Sequence, residues 1–241
     1  MLGIIGGSGL DRMPGLSLHQ EIHCDTPFGA PSGPLLKGER AGRSLLFLPR
    51  HGAEHRIPPH KINYRANIWA LSQQGVDRLV GMAAVGGINR AMPPGSLVIP
   101  DQIIDYTYGR EQTFFDGEFQ PVEHLEFAQP YCPRLRQQLL QAARQADQNV
   151  INGGCYAAVQ GPRLETAAEI SRLARDGADL VGMTAMPEAA LARELGLSYA
   201  NCALVANWAA GLEAEPISMA QIERQLAASM EQALQLLMQL D

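Results

Sequence analysis

The sequence predicts an α/β protein with a largely parallel sheet, because short apolar runs alternate with helical patterns along its 241 residues. Six runs are rich in β-branched or other apolar residues, as buried strands are. They span residues 2–5, 45–48, 79–82, 97–99, 156–159 and 199–205. A chain of this length can bury a sizeable core, so we expect one domain over residues 1–241.

Helices are predicted between several of these strands from apolar residues at helical spacing. Pro133 suits a first helical turn, while Gly177 and Gly196 stand where a left-handed C-cap is expected. Ser218 and Gln221 read as a capping box that opens a final helix. The predicted helices cover residues 62–72, 133–145, 166–174, 188–195 and the segment after Ser218, where Ile222, Leu226, Met230 and Leu234 form one stripe.

The composition narrows the class of protein. Hydrophobic residues make up 46% of the chain, charged residues 18%, and the net charge is −6, which is typical of a soluble globular protein. No basic patch or run is present, so a nucleic-acid partner is not expected. The four cysteines lack metal-ligand or CxxC spacing, and no apolar run has membrane length. We therefore expect a cytoplasmic protein without a membrane partner.

Three short stretches suit an oxyanion, and each follows a strand-like apolar run. Residues 6–9 read Gly-Gly-Ser-Gly, residues 49–52 read Pro-Arg-His-Gly, and residues 182–184 read Gly-Met-Thr after residues 179–181 (Asp-Leu-Val). They offer backbone N–H groups, hydroxyls and a guanidinium, which are donors for phosphate. Taken singly, the first is an ordinary tight turn and Arg50 an ordinary surface ion pair. Taken together, they indicate one phosphate held by several strand ends.

A metal site is not expected. His51, Glu54 and His55 have the order H-x-x-E-H of an inverted zinc-protease motif. That motif needs a helix to bring both histidines onto one face, and Gly52 and Pro58 interrupt a helix here.

Asn207 and Glu165 are candidates for contact with a heterocycle. Asn207 closes an apolar strand, and its carboxamide can both donate to and accept from a ring that carries a carbonyl beside a nitrogen. Alone, Asn207 is a turn residue and Glu165 a carboxylate near a helix N-terminus.

Residues 105–127 form a long irregular segment rich in aromatic residues. A long ordered loop with this much apolar surface covers either its own subunit or a neighbouring one, and the sequence leaves both alternatives open.

In order along the chain, these features resemble the trimeric purine nucleoside phosphorylases, most closely their methylthioadenosine phosphorylase branch. The resemblance covers nearly the whole chain. It is carried by residues 6–9, 26–29 (Thr-Pro-Phe-Gly), 49–52, 63–71 (Asn-Tyr-Arg-Ala-Asn-Ile-Trp-Ala-Leu), 161–163 (Gly-Pro-Arg) and 183–188 (Met-Thr-Ala-Met-Pro-Glu).

The resemblance implies an α/β fold with a mixed, partly barrel-like sheet flanked by helices, and a homotrimer with active sites near subunit interfaces. Phosphate would be held by Ser8, Arg50, His51, Thr184 and the backbone N–H of Ala84. Arg50, His51 and Asn207 are the expected catalytic residues, and His124 matches a residue that reaches a neighbouring subunit's site. The implied substrate-binding residues are Val85, Gly86, Leu164, Glu165, Met183, Asn207, Trp208, Ala209, Ile217, Met219 and His124.

Two departures bear on the substrate. The methylthioadenosine branch has aspartates where this chain has Asn207 and Ala209, and the pair Glu165 and Asn207 resembles phosphorylases of 6-oxopurines instead. Relatives that prefer a 5'-hydroxyl place a histidine on the C-terminal helix, whereas the matching region here offers Ile217 and Met219. An apolar wall suits a methylthio group and leaves a hydroxyl unpaired.

The expected reaction is phosphorolysis of 5'-methylthioinosine to hypoxanthine and 5-methylthioribose 1-phosphate, without metal or organic cofactor. The alternatives are a 5'-methylthioadenosine phosphorylase and a broad 6-oxopurine nucleoside phosphorylase. A nucleosidase, in which water replaces phosphate, and a non-catalytic nucleoside-binding protein are more distant alternatives.

Overall fold

The computed structural model describes residues 1–7, 17–40, 43–214 and 217–240. Ser8 of the predicted phosphate site lies outside these residues. The described strands are β1 (Leu2–Gly6), β2 (Ser17–Ile22), β3 (Leu35–Arg40), β4 (Arg43–Pro49), β5 (Arg78–Gly87), β6 (Leu97–Ile99), β7 (Gln102–Asp105), β8 (Val150–Asn152), β9 (Cys155–Ala158), β10 (Leu180–Gly182) and β11 (Ser198–Trp208). The α-helices are α1 (Tyr64–Gln73), α2 (Pro133–Gln145), α3 (Ala167–Arg175), α4 (Ala185–Glu194) and α5 (Met219–Leu237), and Pro59–Lys61 forms a 3₁₀ turn.

The predicted α/β class and mixed central sheet are confirmed. Strands β1, β4, β5 and β11 pair in parallel, while β2, β3 and β4 form an antiparallel meander at one edge. The apolar pattern alternates along the parallel strands, so Ile5 and Leu79 face one side while Ile4 and Val80 face the other. Helices α1 and α4 cover the first side, and α2 and α5 cover the second.

The sheet forks at β5. Strand β11 pairs along one whole edge of β5, from Arg78 to Gly87. On the other edge, β1 pairs with residues 78–81 and the antiparallel strand β10 pairs with residues 86–87. Within the described part of the chain, residues 82–85 therefore have no strand partner on that edge. This gap in the middle of the sheet positions the site.

The predicted helices are all present, with one error in their caps. Helix α2 spans the predicted range from Pro133, and Gly177 and Gly196 follow their helices with φ of 95° and 70°, as left-handed C-caps. The capping box predicted at Ser218 is wrong, because the Ser218 side chain makes no capping hydrogen bond. A reciprocal capping box is found instead at α3, between Thr166 and Glu169.

The aromatic segment 105–127 divides into two parts. Phe114 is fully buried and packs against Phe28 and Trp69 of its own chain, so this part covers its own subunit. Residues 121–126 are exposed, with Val122 at 67% of its surface accessible. Among the described residues, no helix combines the length and apolarity that crossing a bilayer requires.

Candidate active site

The gap beside β5 opens into a cleft of about 1290 Å³, formed where β1, β4 and β10 end. Parallel strand ends at a break in sheet order are the usual place for a ligand in α/β proteins. Most predicted site residues line this cleft. They are Arg50, His51, Ala84, Val85, Gly86, Leu164, Glu165, Met183, Thr184, Asn207, Ala209 and Met219, together with Gly7 beside Ser8.

The Arg50 side chain is buried and hydrogen-bonded on several sides where it meets the cleft. It is 1% exposed, and its Nε and Nη2 donate to both oxygens of Glu188, which is fully buried, with the Nη2–Oε2 distance at 3.0 Å. Nη1 donates to the Met82 carbonyl at 2.7 Å and Nη2 to the Ile5 carbonyl at 3.1 Å. Burial lowers the pKa of Arg50, but the charge and hydrogen bond of Glu188 outweigh it and raise that pKa above its ordinary value. The guanidinium thus enters the cleft rigid and permanently charged, with one Nη1 hydrogen still available.

Ala84 is a backbone donor by the geometry of its strand. The N–H and C=O of one β-residue point to the same side, and residues two apart repeat that direction. The Met82 carbonyl points across the free edge to Arg50, so the Ala84 N–H points to the same side, where Ala84 is exposed to the cleft.

Thr184 lies at the N-terminus of α4, and its side chain is not used as a cap. Its backbone N–H is 3.5 Å from the Tyr156 hydroxyl. Gly182 is required here, because a Cβ at this position would collide with that hydroxyl. The same arrangement recurs at Gly81, where the missing Cβ leaves room for the hydroxyl of Tyr199. Two strand glycines thus admit two tyrosine hydroxyls beneath the cleft.

His51 is held as a neutral imidazole. Its Nδ1 lies 2.8 Å from the Ile57 carbonyl, which can only accept, so Nδ1 carries the proton and Nε2 is a hydrogen-bond acceptor. Burial and the charge of Arg50 lower the pKa of His51 to about 4. The ring stacks on His55 at 4.3 Å, and Gly52 has a φ of 77°, so these histidines lie on turns and not on the helix that a zinc-protease motif needs.

The lowered pKa of His51 gives a prediction for the pH dependence of stability. A folded-state pKa near 4, below the ordinary 6.5, means that the unfolded chain binds a proton first as pH falls. Stability from His51 is therefore complete above pH 6.5 and is lost between 6.5 and 4. For both the wild type and His51→Asn, we measure how far the free energy of unfolding falls between pH 7 and pH 5. We expect this fall to be smaller by about 1 kcal/mol in His51→Asn, after allowance for solvent screening. Urea unfolding at both pH values measures this, and equal falls would contradict it.

Asn207 is aimed by a β-bulge. The register of β11 on β5 shifts between Val205 and Asn207, which inserts Ala206 and turns the following side chain. The Asn207 Nδ2 donates to the Trp208 carbonyl at 2.7 Å, which leaves its second hydrogen for a ligand. Glu165 lines the same cleft and is half-buried, and burial raises the pKa of its carboxyl.

A model of the family described as "Phosphorylase superfamily" matches residues 1–240. The chain belongs to this superfamily. It is 52% identical over 227 residues to a probable S-methyl-5'-thioinosine phosphorylase of Pseudomonas syringae pv. tomato, covering 94% of this chain and 92% of the relative. It is 46% identical to a probable 6-oxopurine nucleoside phosphorylase of Thermococcus kodakarensis, covering 98% and 90%.

A solved structure is also similar along nearly the whole chain. Methylthioadenosine phosphorylase from Schistosoma mansoni, in complex with adenine, superimposes with a TM-score of 0.94 at 34% identity, covering 99% of this chain and 89% of that one. The phosphorylase fold expected from the sequence motifs is therefore confirmed.

Three predicted residues do not line the main cleft. Trp208 and Ile217 line an adjoining cleft of about 370 Å³, which shares Asn207 and Ala209 with the main one. Trp208 is stacked there under the Arg90 guanidinium at 4.8 Å. His124 lies in the exposed part of the aromatic segment and lines neither cleft.

Sequence reasoning missed side chains that support the cleft residues without lining the cleft themselves. Glu188 was noted only as the end of a motif and the start of a helix, although it neutralises Arg50 and accepts from the Tyr199 hydroxyl at 3.0 Å. Arg110 lies inside the aromatic segment and contacts the loops of the cleft. A buried guanidinium needs a buried carboxylate as its partner, and this need was the available signal. No sequence spacing identifies which carboxylate meets it.

Proposed function

We propose that this phosphorylase cleaves 5'-methylthioinosine with inorganic phosphate, releasing hypoxanthine and 5-methylthioribose 1-phosphate. The observation that carries the proposal is the pair Glu165 and Asn207 on one cleft that also holds Arg50. The relatives at 52% and 46% identity are named as phosphorylases of S-methyl-5'-thioinosine and of 6-oxopurine nucleosides, and both names specify a 6-oxopurine base.

The base preference follows from hydrogen-bond direction. A 6-oxopurine presents an N1–H donor and an O6 acceptor, whereas adenine presents an N1 acceptor and an amino donor. The Glu165 carboxylate only accepts, and the free hydrogen of the Asn207 carboxamide donates. Both therefore match the 6-oxopurine. A mismatched buried donor or acceptor costs about 1–3 kcal/mol, which amounts to tenfold or more in specificity.

The 5' preference follows from the apolar stripe of α5. Met219, Ile222 and Leu226 line the cleft along this helix. A methylthio group gains contact with such a surface, while a 5'-hydroxyl is left without a partner. Ile217, in the adjoining cleft, was expected to share this wall.

In the proposed mechanism, phosphate attacks C1' as the N-glycosidic bond breaks through a ribosyl cation-like transition state. Arg50, Ser8, Thr184 and the Ala84 N–H hold the anion, and the Nε2 of His51 accepts from a phosphate hydroxyl or from the ribose. Met183 lies against the ribose. Asn207 stabilises the negative charge that develops on the purine near N7 and O6. These groups supply the chemistry without a metal or an organic cofactor.

We further propose a cytoplasmic homotrimer in which His124 reaches the 5' region of a neighbouring subunit's site. Support comes from the exposed apolar residues around His124, including Val122 at 67% and Leu125 at 37% accessible. Exposed apolar surface of this kind is typical of a protein contact. The folded domain is proposed to span the whole chain.

A panel of four nucleosides tests the function. Inosine, adenosine and their 5'-methylthio derivatives are each assayed for release of base, with and without phosphate. We expect 5'-methylthioinosine to be turned over best and only with phosphate. Faster turnover of 5'-methylthioadenosine, release without phosphate, or binding without release would replace the proposal by a methylthioadenosine phosphorylase, a nucleosidase or a binding protein, respectively.

A further inference from the structure

Arg110 stands outside the cleft, yet its guanidinium is directed at the backbone of two cleft segments. All of its donors are engaged, and within the described ranges no carboxylate lies at ion-pair distance from it. It donates from Nη1 to the carbonyls of Met183 (2.8 Å) and Met186 (2.6 Å) and to Tyr64 Oη (3.2 Å), from Nη2 to the carbonyls of Val159 (3.2 Å) and Gln160 (3.0 Å), and from Nε to Gln160 Oε1 (3.2 Å).

These acceptors lie where the sheet stops. Strands β9 and β10 pair in parallel as far as Ala158 and Gly182, and the bond from the Val159 N–H to the Gly182 carbonyl is the last between them. Beyond this point the two segments separate into the cleft, and their carbonyls have no strand partner in the described structure. Buried carbonyls need donors, and one guanidinium supplies them on both sides.

The two segments carry the two halves of the site. The carbonyls of Met183 and Met186 bracket Thr184, on the proposed phosphate and ribose side. Val159 and Gln160 lead directly into Leu164 and Glu165, on the proposed base side. Their separation sets the distance between the anion and the heterocycle, and therefore the alignment of the reacting atoms.

We propose that Arg110 is a positioning residue that fixes the spacing of these two cleft segments. Its planar fork suits this task, because donors on opposite edges of one rigid plane reach acceptors that lie apart. A lysine ammonium places all its donors at one point and reaches one segment only. The proposal rests on the proposed function only for the choice of assay substrate, because the contacts of Arg110 do not depend on which substrate is bound.

The test compares Arg110→Lys and Arg110→Met with Arg65→Met as a matched control. Arg65 also holds the aromatic segment, by an ion pair to Asp116 at 3.0 Å, and it lies over the ring of Phe28 outside that segment, but it does not contact the cleft segments. KM for nucleoside and for phosphate, kcat and the thermal unfolding midpoint are measured for each, with the nucleoside that the wild type turns over best.

We expect Arg110→Lys to fold and to raise both KM values at least fivefold, Arg110→Met to raise them at least tenfold, and Arg65→Met to change them less than twofold. A merely structural role would lower the unfolding midpoint and the active fraction while KM stayed constant. Wild-type KM values in Arg110→Lys, or equal changes in Arg65→Met, would overturn the proposal. If the wild type itself turned over no nucleoside of the panel, the proposed function would fail, and the spacing would be tested by hypoxanthine and phosphate binding in the same three variants, with the same expected ratios.

Discussion

Replacing Glu188 with glutamine is expected to lower the free energy of unfolding by about 3–5 kcal/mol. The carboxylate is fully buried and is the counter-ion of the equally buried Arg50. Glutamine keeps the shape but removes the charge, and its amide nitrogen faces a donor, either Arg50 or the Tyr199 hydroxyl. An uncompensated guanidinium then remains in the low-dielectric interior, which is far more costly than the loss of a surface pair.

Urea unfolding measures this effect, with Glu111→Gln as the matched control. Glu111 also pairs with an arginine, at 2.8 Å from Arg65, but its side chain is 77% exposed. Solvent screens such a pair, so the control is expected to unfold close to the wild type. A loss below about 1 kcal/mol in Glu188→Gln would mean that another group neutralises Arg50 and that Glu188 is not its main counter-ion.

Replacing Asn207 with aspartate is expected to shift the preference between 6-oxopurine and 6-aminopurine substrates by tenfold or more toward the 6-aminopurine, consistent with about 1–3 kcal/mol for a mismatched buried hydrogen bond. The aspartate loses the donor for O6 and gains an acceptor for an amino group. It also faces the Trp208 carbonyl, to which Asn207 now donates, so some activity will be lost on every substrate. The ratio of kcat/KM for the two methylthio nucleosides cancels this common loss.

Asn152→Asp is the control for the change in charge. Asn152 is exposed on β8, and its Oδ1 accepts from Arg136 at 2.8 Å, a bond that aspartate retains. Its substrate ratio is expected to stay at the wild-type value. An unchanged ratio in Asn207→Asp would show that this side chain does not select the base.

The sequence was most informative where strands end. Apolar runs identified β1 and β4, and the residues that follow them line the cleft, because the carboxyl ends of parallel strands share one edge of a sheet. The strands that were missed, such as β2 (Ser17–Ile22) and β8 (Val150–Asn152), are short or polar. Their pairing depends on neighbours distant in sequence, which local periodicity does not reveal.

The supports of the site were predicted poorly for a related reason. Arg50 was correctly selected as a strand-end cation, but its partner Glu188 is 138 residues away. Arg110 lies in a segment whose composition is dominated by aromatic residues, and most of its acceptors are backbone carbonyls, which leave no trace in side-chain composition. The capping box predicted at Ser218 was wrong because the S-x-x-Q pattern allows such a box without requiring it, and the Ser218 side chain makes no capping hydrogen bond. Thr166 and Glu169 make the reciprocal bonds at α3 instead.

The most direct test of the proposed substrate is a competition in one tube. Equal concentrations of 5'-methylthioinosine and 5'-methylthioadenosine are given to the wild-type enzyme with phosphate, and the initial amounts of hypoxanthine and adenine are compared. Because the two nucleosides compete for the same enzyme, this ratio equals the ratio of their kcat/KM values. We expect at least ten molecules of hypoxanthine for each adenine. Adenine in equal or greater amount would contradict the assignment of Glu165 and Asn207 to a 6-oxopurine.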